Sequence, residues 1–237
     1  MTVEICANSV QSAINAAKGG ADRIELCQNL NEGGTTPSYA TIKYCVEKLL
    51  LKTMVLIRPR PGDFCYNDAE YETIKEDVLI CRELGANGIV VGFLDKNLDI
   101  DINRTSEIVR LARPMEVTFH RAFDRCRDWH NALEQIIECG CDRILTSGQR
   151  KTAPDGADNL REIQKQANGR IKILAGSGVN SQNVAELIKT TGVSEVHSSC
   201  KHTVENPQKT NIDDSSRYME TDLEEVKRFV GNAKQSK

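Results

Sequence analysis

The sequence predicts a single closed (β/α)8 barrel of the TIM-barrel class, and three observations carry that prediction. First, apolar runs of strand length alternate with segments of helical period along all 237 residues. Second, four helical segments end in a similar small-residue turn before the next strand. These are Gly19-Gly20-Ala21-Asp22-Arg23, Leu84-Gly85-Ala86-Asn87-Gly88, Cys139-Gly140-Cys141-Asp142-Arg143 and Thr191-Gly192-Val193-Ser194-Glu195, each with a glycine where a left-handed C-cap is required. Third, Glu116-Val117-Thr118-Phe119-His120-Arg121-Ala122-Phe123-Asp124 reads as a strand running straight into chargeable side chains. In barrels of parallel strands that edge is where binding and catalysis take place. A doubly wound open sheet competes, but it favours a glycine-rich fingerprint after the first strand, and Cys6-Ala7-Asn8-Ser9 is not one.

The predicted strands are Val3–Cys6, Arg23–Cys27, Met54–Arg58, Gly88–Gly92, Glu116–His120, Arg143–Ser147, Ile171–Gly176 and Glu195–Ser198. Helices are expected to begin near Ser9, Ser38, Asp68, Asp101, Trp129, Asp158 and Ser181, with a last helix over about 222–233 and a short polar tail. Asn67 or Asp68 and Ser181 are N-capping residue types, and Pro37 before Ser38 marks another helix start. No linker or low-complexity segment divides the chain, so one domain over 1–237 is expected.

Composition narrows the function classes. Lys and Arg total 31 against 34 Asp and Glu, a net charge of −3 that gives no electrostatic case for nucleic acid or an anionic membrane. No apolar run is long enough for a transmembrane helix, and Met1-Thr2-Val3-Glu4 lacks the basic and apolar regions of a secretory start. Nine cysteines without such a start point to a reducing compartment, hence a cytoplasmic location.

Strand side chains alternate, so residues two apart share a face. Glu4 with Cys6, Glu25 with Cys27, and Glu116, Thr118 and His120 are therefore placed inside the barrel, with Arg58 at the inner end of the third strand. Buried carboxylates need partners, and Arg58 and Arg121 are the expected ones. A polar core with a local Arg121–Asp124 ion pair is the structural alternative. After the second strand, Asn31-Glu32-Gly33-Gly34-Thr35-Thr36-Pro37-Ser38 lets backbone approach a ligand. Arg58-Pro59-Arg60-Pro61-Gly62-Asp63-Phe64 holds two arginines suited to carboxylate or phosphate. Glycine-rich backbone after the last two strands is where many such barrels bind phosphate, which nominates Gly176, Ser177, Gly178 and Ser198 as an anion site.

Cys6 and Cys27 end neighbouring strands on one face, and strands lie about 4.8 Å apart, so both sulfurs come within reach of one soft ion. Thiolates select Cu(I). The alternative is a pair of small buried hydrophobes. Cys139 and Cys141 precede the sixth strand and are read as packing, as are Cys45 and Cys81 in helices. Cys65, Cys126 and Cys200 fall near the loops of the site end. No His/Cys spacing matches a structural zinc site.

From about Val3 to Cys200 the chain resembles the CutC family. The resemblance is carried by Glu4-Ile5-Cys6, Gly19 to Cys27, Glu32-Gly33-Gly34-Thr35-Thr36-Pro37-Ser38, Ile57-Arg58-Pro59-Arg60, Gly62-Asp63-Phe64, Thr118 to Asp124 and Arg143 to Gly148. It implies a (β/α)8 barrel, a cytoplasmic location, a homo-oligomer and a proposed Cu(I)-binding role, with no organic cofactor. The copper ligands proposed in eukaryotic members match Cys6 and Cys27. Pro61 and Ser177 depart from the family pattern, which has glycine at both positions, and Cys200 stands where a small residue is usual.

Two function classes follow. One is a copper-homeostasis protein with Cys6 and Cys27 holding Cu(I). The other is a barrel enzyme on a small anionic substrate. In it Glu25 or His120 moves a proton, Arg58 and Arg121 clamp the anion, and Asp124 orients a partner. The family resemblance favours copper.

Overall fold

The computed structural model describes residues 1–205 and 217–236. Eight strands form a closed parallel barrel in chain order: β1 (Thr2–Ala7), β2 (Arg23–Leu26), β3 (Lys52–Leu56), β4 (Gly88–Val91), β5 (Glu116–Phe119), β6 (Arg143–Thr146), β7 (Lys172–Ala175) and β8 (Glu195–Ser198). Pairing of β1 with β8 closes the ring. The helices are α1 (Val10–Lys18), α2 (Tyr39–Lys48), α3 (Asp68–Glu83), α4 (Ile102–Ala112), α5 (Trp129–Glu138), α6 (Ala157–Ala167), α7 (Val184–Thr191) and α8 (Leu223–Gln235).

Local chemistry explains the helix starts. Ser9, Ser38, Asn67, Asp101, Asp128 and Asp222 each accept a hydrogen bond from a backbone amide in the first turn that follows. At Asn67 the Glu70 carboxylate returns the bond, completing a capping box. Gly20, Gly85, Gly140 and Gly192 all have positive φ, as the small-residue turns before β2, β4, β6 and β8 require. Two expectations shift. The seventh helix begins at Val184 rather than near Ser181, because Asn180 to Asn183 form a turn held by the Asn180 and Asn183 side chains. Strands β2 to β7 each stop one or two residues before their expected ends, which leaves Cys27, Arg58 and His120 just past the strands.

Apolar side chains on the outer strand faces meet the helices in one continuous core, in which Ile5, Ile24, Val55, Ile89, Val117, Ile144 and Ile173 are buried. The inner faces hold a second, smaller cluster of Cys6, Cys27, Met54, Leu56 and Val90. A hairpin of β9 (Lys201–Glu205) and β10 (Arg217–Thr221), absent from the sequence reading, stands beyond β8. It is tied to the first βα unit through Asn8 to Met219 O, Asn15 to Thr221 O and the Thr221 amide to Ser12 Oγ.

Candidate functional site

The N-terminal end of the barrel interior is sealed by an ion-pair chain. Arg23 Nε lies 2.5 Å from Glu4 Oε2, and its guanidinium also pairs with Glu195. Arg143 Nε lies 2.5 Å from Glu195 Oε2, Nη1 donates to Thr118 Oγ1 at 3.2 Å, and Nη2 reaches Glu116 Oε2 at 3.1 Å. The expected partners for these carboxylates were Arg58 and Arg121. Instead Arg23 and Arg143, at the starts of β2 and β6, supply the positive charge, because residues at the strand starts share one level in the barrel. Arg58 and Arg121 lie at the other end, near the C-terminal ends of β3 and β5.

One level further in, Cys6 Sγ stands 3.6 Å from Cys27 Sγ, and both side chains are buried. The ligand atoms of Cys6, Glu25 and His197 all lie within 4.8 Å of one another. His197 Nδ1 is 2.8 Å from Glu4 Oε1, and Nε2 is 3.7 Å from Glu25 Oε2. Burial opposes the charged form of His197, but hydrogen bonds to Cys6 and Glu4 and the charge of Glu25 outweigh it and raise the imidazole well above its usual value. Burial likewise opposes ionisation of Glu4, yet Arg23 and His197 hold that carboxyl at about 2. Glu25 has no such direct arginine, and burial pushes its pKa up. The Cys6 thiol is raised well above its ordinary value by its hydrogen bond to Cys27 and by burial.

Above the thiols opens a cavity of about 540 Å³ bounded by Cys6, Glu25, Cys27, Arg58, His120 and His197, among others. Arg58, buried, donates to the carbonyls of Glu32 at 3.2 Å, Gly34 at 2.8 Å and Gly62 at 3.0 Å. It therefore ties together the loops after β2 and β3. His120 is buried with its Nδ1 accepting from the Ala122 amide at 3.1 Å. Its ring fits because residue 92 is glycine: a Cβ there would lie 2.4 Å from the imidazole. Burial, and then the charge of Arg58, lower His120 to about 3, so the ring is neutral. Arg121 Nε donates to Asp124 Oδ2 at 2.7 Å and Nη2 to Ser147 Oγ at 3.0 Å. Asp124 also accepts from Thr146 Oγ1 at 2.5 Å and from the amides of Ser147 and Gln149, so it pins the β5 loop to the β6 loop and orients Arg121.

At the corner after β7 and β8 the amides that precede α7 are already committed to side chains of the protein. The Ser181 amide and hydroxyl donate to the two Glu225 carboxylate oxygens at 2.9 and 3.0 Å, and the Gln182 and Asn183 amides donate to Asn180 Oδ1. Ser177 adopts a positive φ of 79°, the conformation glycine would give at that position, and donates to Lys151 O at 2.9 Å. Ser198 Oγ donates to Val179 O at 2.6 Å. Ser177, Gly178 and Ser198 line the cavity. Gly176 is buried beneath them, where a Cβ would meet Leu145 and His197.

The structure thus brings Cys6, Glu25, Cys27, Arg58, His120 and Arg121 to one cavity and leaves Asp124 supporting its wall. His197 was not singled out by sequence reasoning. It shares a strand face with Glu195, and that pair of chargeable residues two apart on β8 is the same signal that flagged Glu4 and Glu25. Cys45, Cys81 and Cys141 are core residues; Cys139 is buried with Sγ 3.8 Å from Ile102 O. Cys65 is exposed, Cys126 packs beside Gln149, and Cys200 is buried in the cavity wall.

Comparison with known proteins fits this geometry. The model of the CutC family matches residues 1–202. The family protein CutC of Bacteroides thetaiotaomicron is 46% identical over 231 residues, covering 97% of this chain and 93% of that protein. The family protein CutC of Vibrio vulnificus is 46% identical over 203 residues, covering 85% and 81%. The crystal structure of CutC from Streptococcus agalactiae, provisionally named a copper homeostasis protein, superposes with a TM-score of 0.80 at 32% identity, covering 84% of this chain and 98% of that one. Phosphoribosylanthranilate isomerase from Pyrococcus furiosus, at 17% identity and a TM-score of 0.61, shares the fold alone. With the family model spanning most of the barrel and relatives near half identical along most of their length, the chain belongs to the CutC family.

Proposed function

We propose that this CutC family member serves copper homeostasis by holding Cu(I) on the thiolates of Cys6 and Cys27. The observation that carries the reading is the 3.6 Å separation of the two buried sulfurs at the floor of an open cavity. Two thiolates on one tetrahedral ion at about 2.3 Å would stand roughly 3.8 Å apart, so little movement is needed. Soft sulfur donors select Cu(I), and a buried pair with an apolar flank of Met54, Leu56 and Val90 excludes the harder, oxygen-preferring cations. Glu25 and His197 supply acceptor and donor chemistry beside Cys6, giving the thiol proton somewhere to go as the metal enters. Nine unpaired cysteines support a reducing, cytoplasmic setting.

Because a protonated Cys6 must release its proton, affinity for Cu(I) is expected to rise with pH. A competition titration with a Cu(I) chelator on wild type, Cys6→Ala and Cys27→Ala tests the assignment. Each variant should bind Cu(I) at least tenfold more weakly while keeping its melting temperature near wild type. Wild-type affinity in both variants would sink the site.

A further inference from the structure

We infer that the cavity wall made by Arg58, His120 and Arg121 binds an oxyanion of a small ligand, at a position distinct from the thiol pair. His120 Nδ1 accepts from a backbone amide, which places the ring proton on Nε2, and Nε2 is buried without a hydrogen-bond partner among the described residues. Arg58 has a related feature: its two terminal nitrogens are committed to carbonyls, while the buried Nε makes no such bond among the described residues, the Tyr66 hydroxyl being the polar side chain beside this guanidinium. Buried donors without acceptors are rare in folded proteins and call for an explanation. Here two such donors occur on neighbouring side chains that line one cavity.

The two are held together by Phe64. Its ring centroid lies 4.7 Å from that of His120 and 5.0 Å from the Arg58 guanidinium carbon, and Arg125 lies 5.3 Å away on the same ring. The wall therefore combines guanidinium charge with a neutral imidazole around an aromatic platform. That combination suits a carboxylate or phosphate oxygen rather than a cation. Glu225 is already bonded to Ser181 and Arg228, Glu25 sits with Cys6 and His197 beside the thiols, and Asp124 pairs with Arg121. Arg58, with no carboxylate in ion-pair range among the described residues, carries the positive charge of the wall.

The test uses the full chain, with inorganic phosphate and acetate as two separate probes. Nitrogen-15 spectra of the histidine side chains report on His120 Nε2 directly, and calorimetry gives the affinity. Phosphate, acetate or both should shift the His120 Nε2 resonance, and the arm that does so names the ligand class. His120→Phe, which keeps ring volume and removes the donor, should weaken anion binding by about tenfold or more. Cys6→Ser should leave anion binding unchanged, which separates this inference from the copper reading. The inference is overturned if neither anion moves the His120 resonance, or if His120→Phe binds the anion as wild type does. Should His120→Phe fail to fold, the wild-type resonance alone decides the matter.

Discussion

The two ends of the barrel interior hold similar residue types and treat them in opposite ways. At the N-terminal end every named charge has a short-range partner: Glu4 with Arg23, Arg23 with Glu195, Glu195 with Arg143, and Arg143 with Glu116. At the C-terminal end Arg58 and His120 are as buried as Arg23 and Arg143, yet among the described residues each keeps a donor without a hydrogen-bond partner, and the two thiols meet a raised carboxyl and a charged imidazole. Burial of charge is common to both ends, so burial does not mark function. The distinguishing feature is whether the hydrogen-bonding capacity is spent inside the protein. Where it is spent, charge holds the fold; where it is left open beside a cavity, it is what the proposed ligand would engage.

The largest expected effect comes from breaking the closed end. Arg23→Met leaves two carboxylates facing each other in a buried site and should cost about 3–5 kcal/mol in denaturant unfolding. His120→Phe, at the open end, should change stability by less than a third of that. If the two variants cost the same, the distinction between the ends fails.

A pair of neighbouring apolar residues sharpens the comparison. Ile144 points into the outer core and is fully buried, whereas Leu145 lines the cavity. Ile144→Ala should cost about 2–5 kcal/mol, since it opens a void in packed surroundings. Leu145→Ala enlarges a space that already exists and should cost clearly less. Equal losses would show that the cavity collapses around Leu145 in solution.

Acid provides the third test. The folded-state pKa of His120, about 3, lies below its ordinary value of 6.5, so the folded protein favours the neutral ring. Its contribution to stability is full above pH 6.5 and is lost as pH falls towards 3. Relative to wild type, His120→Gln should therefore show a flatter melting temperature between pH 6.5 and 4. Parallel curves would mean that His120 is hydrated and titrates normally.

Much of this was legible in the sequence. Strand order and helix starts follow from alternating apolar runs, capping residues and the glycines at 20, 85, 140 and 192, all local signals. Placement of Cys6, Glu25, Cys27 and His120 inside the barrel follows from the two-residue period of a strand. The partners were not legible. Glu4 could face any inward cation, and choosing Arg23 over Arg58 requires knowing which residues of different strands share a level, which depends on the stagger of the closed sheet. The hairpin of β9 and β10 also escaped notice. Lys201-His202-Thr203-Val204-Glu205 is polar and exposed, and carries neither an apolar stripe nor an alternating one.

The smallest expected effect concerns Glu225. Glu225→Gln keeps the shape and one acceptor, and should lower stability by under about 1 kcal/mol, measured as a small melting shift. Its interest lies elsewhere. Glu225 sits on α8, outside the residues matched by the family model, yet it lines the cavity and accepts from the Ser181 amide. The floor of the cavity is thus written in the barrel strands and part of its rim in an appended helix. Exchanging one side chain on α8 would reshape the rim of the cavity, with the two thiols and the closed sheet left as they are.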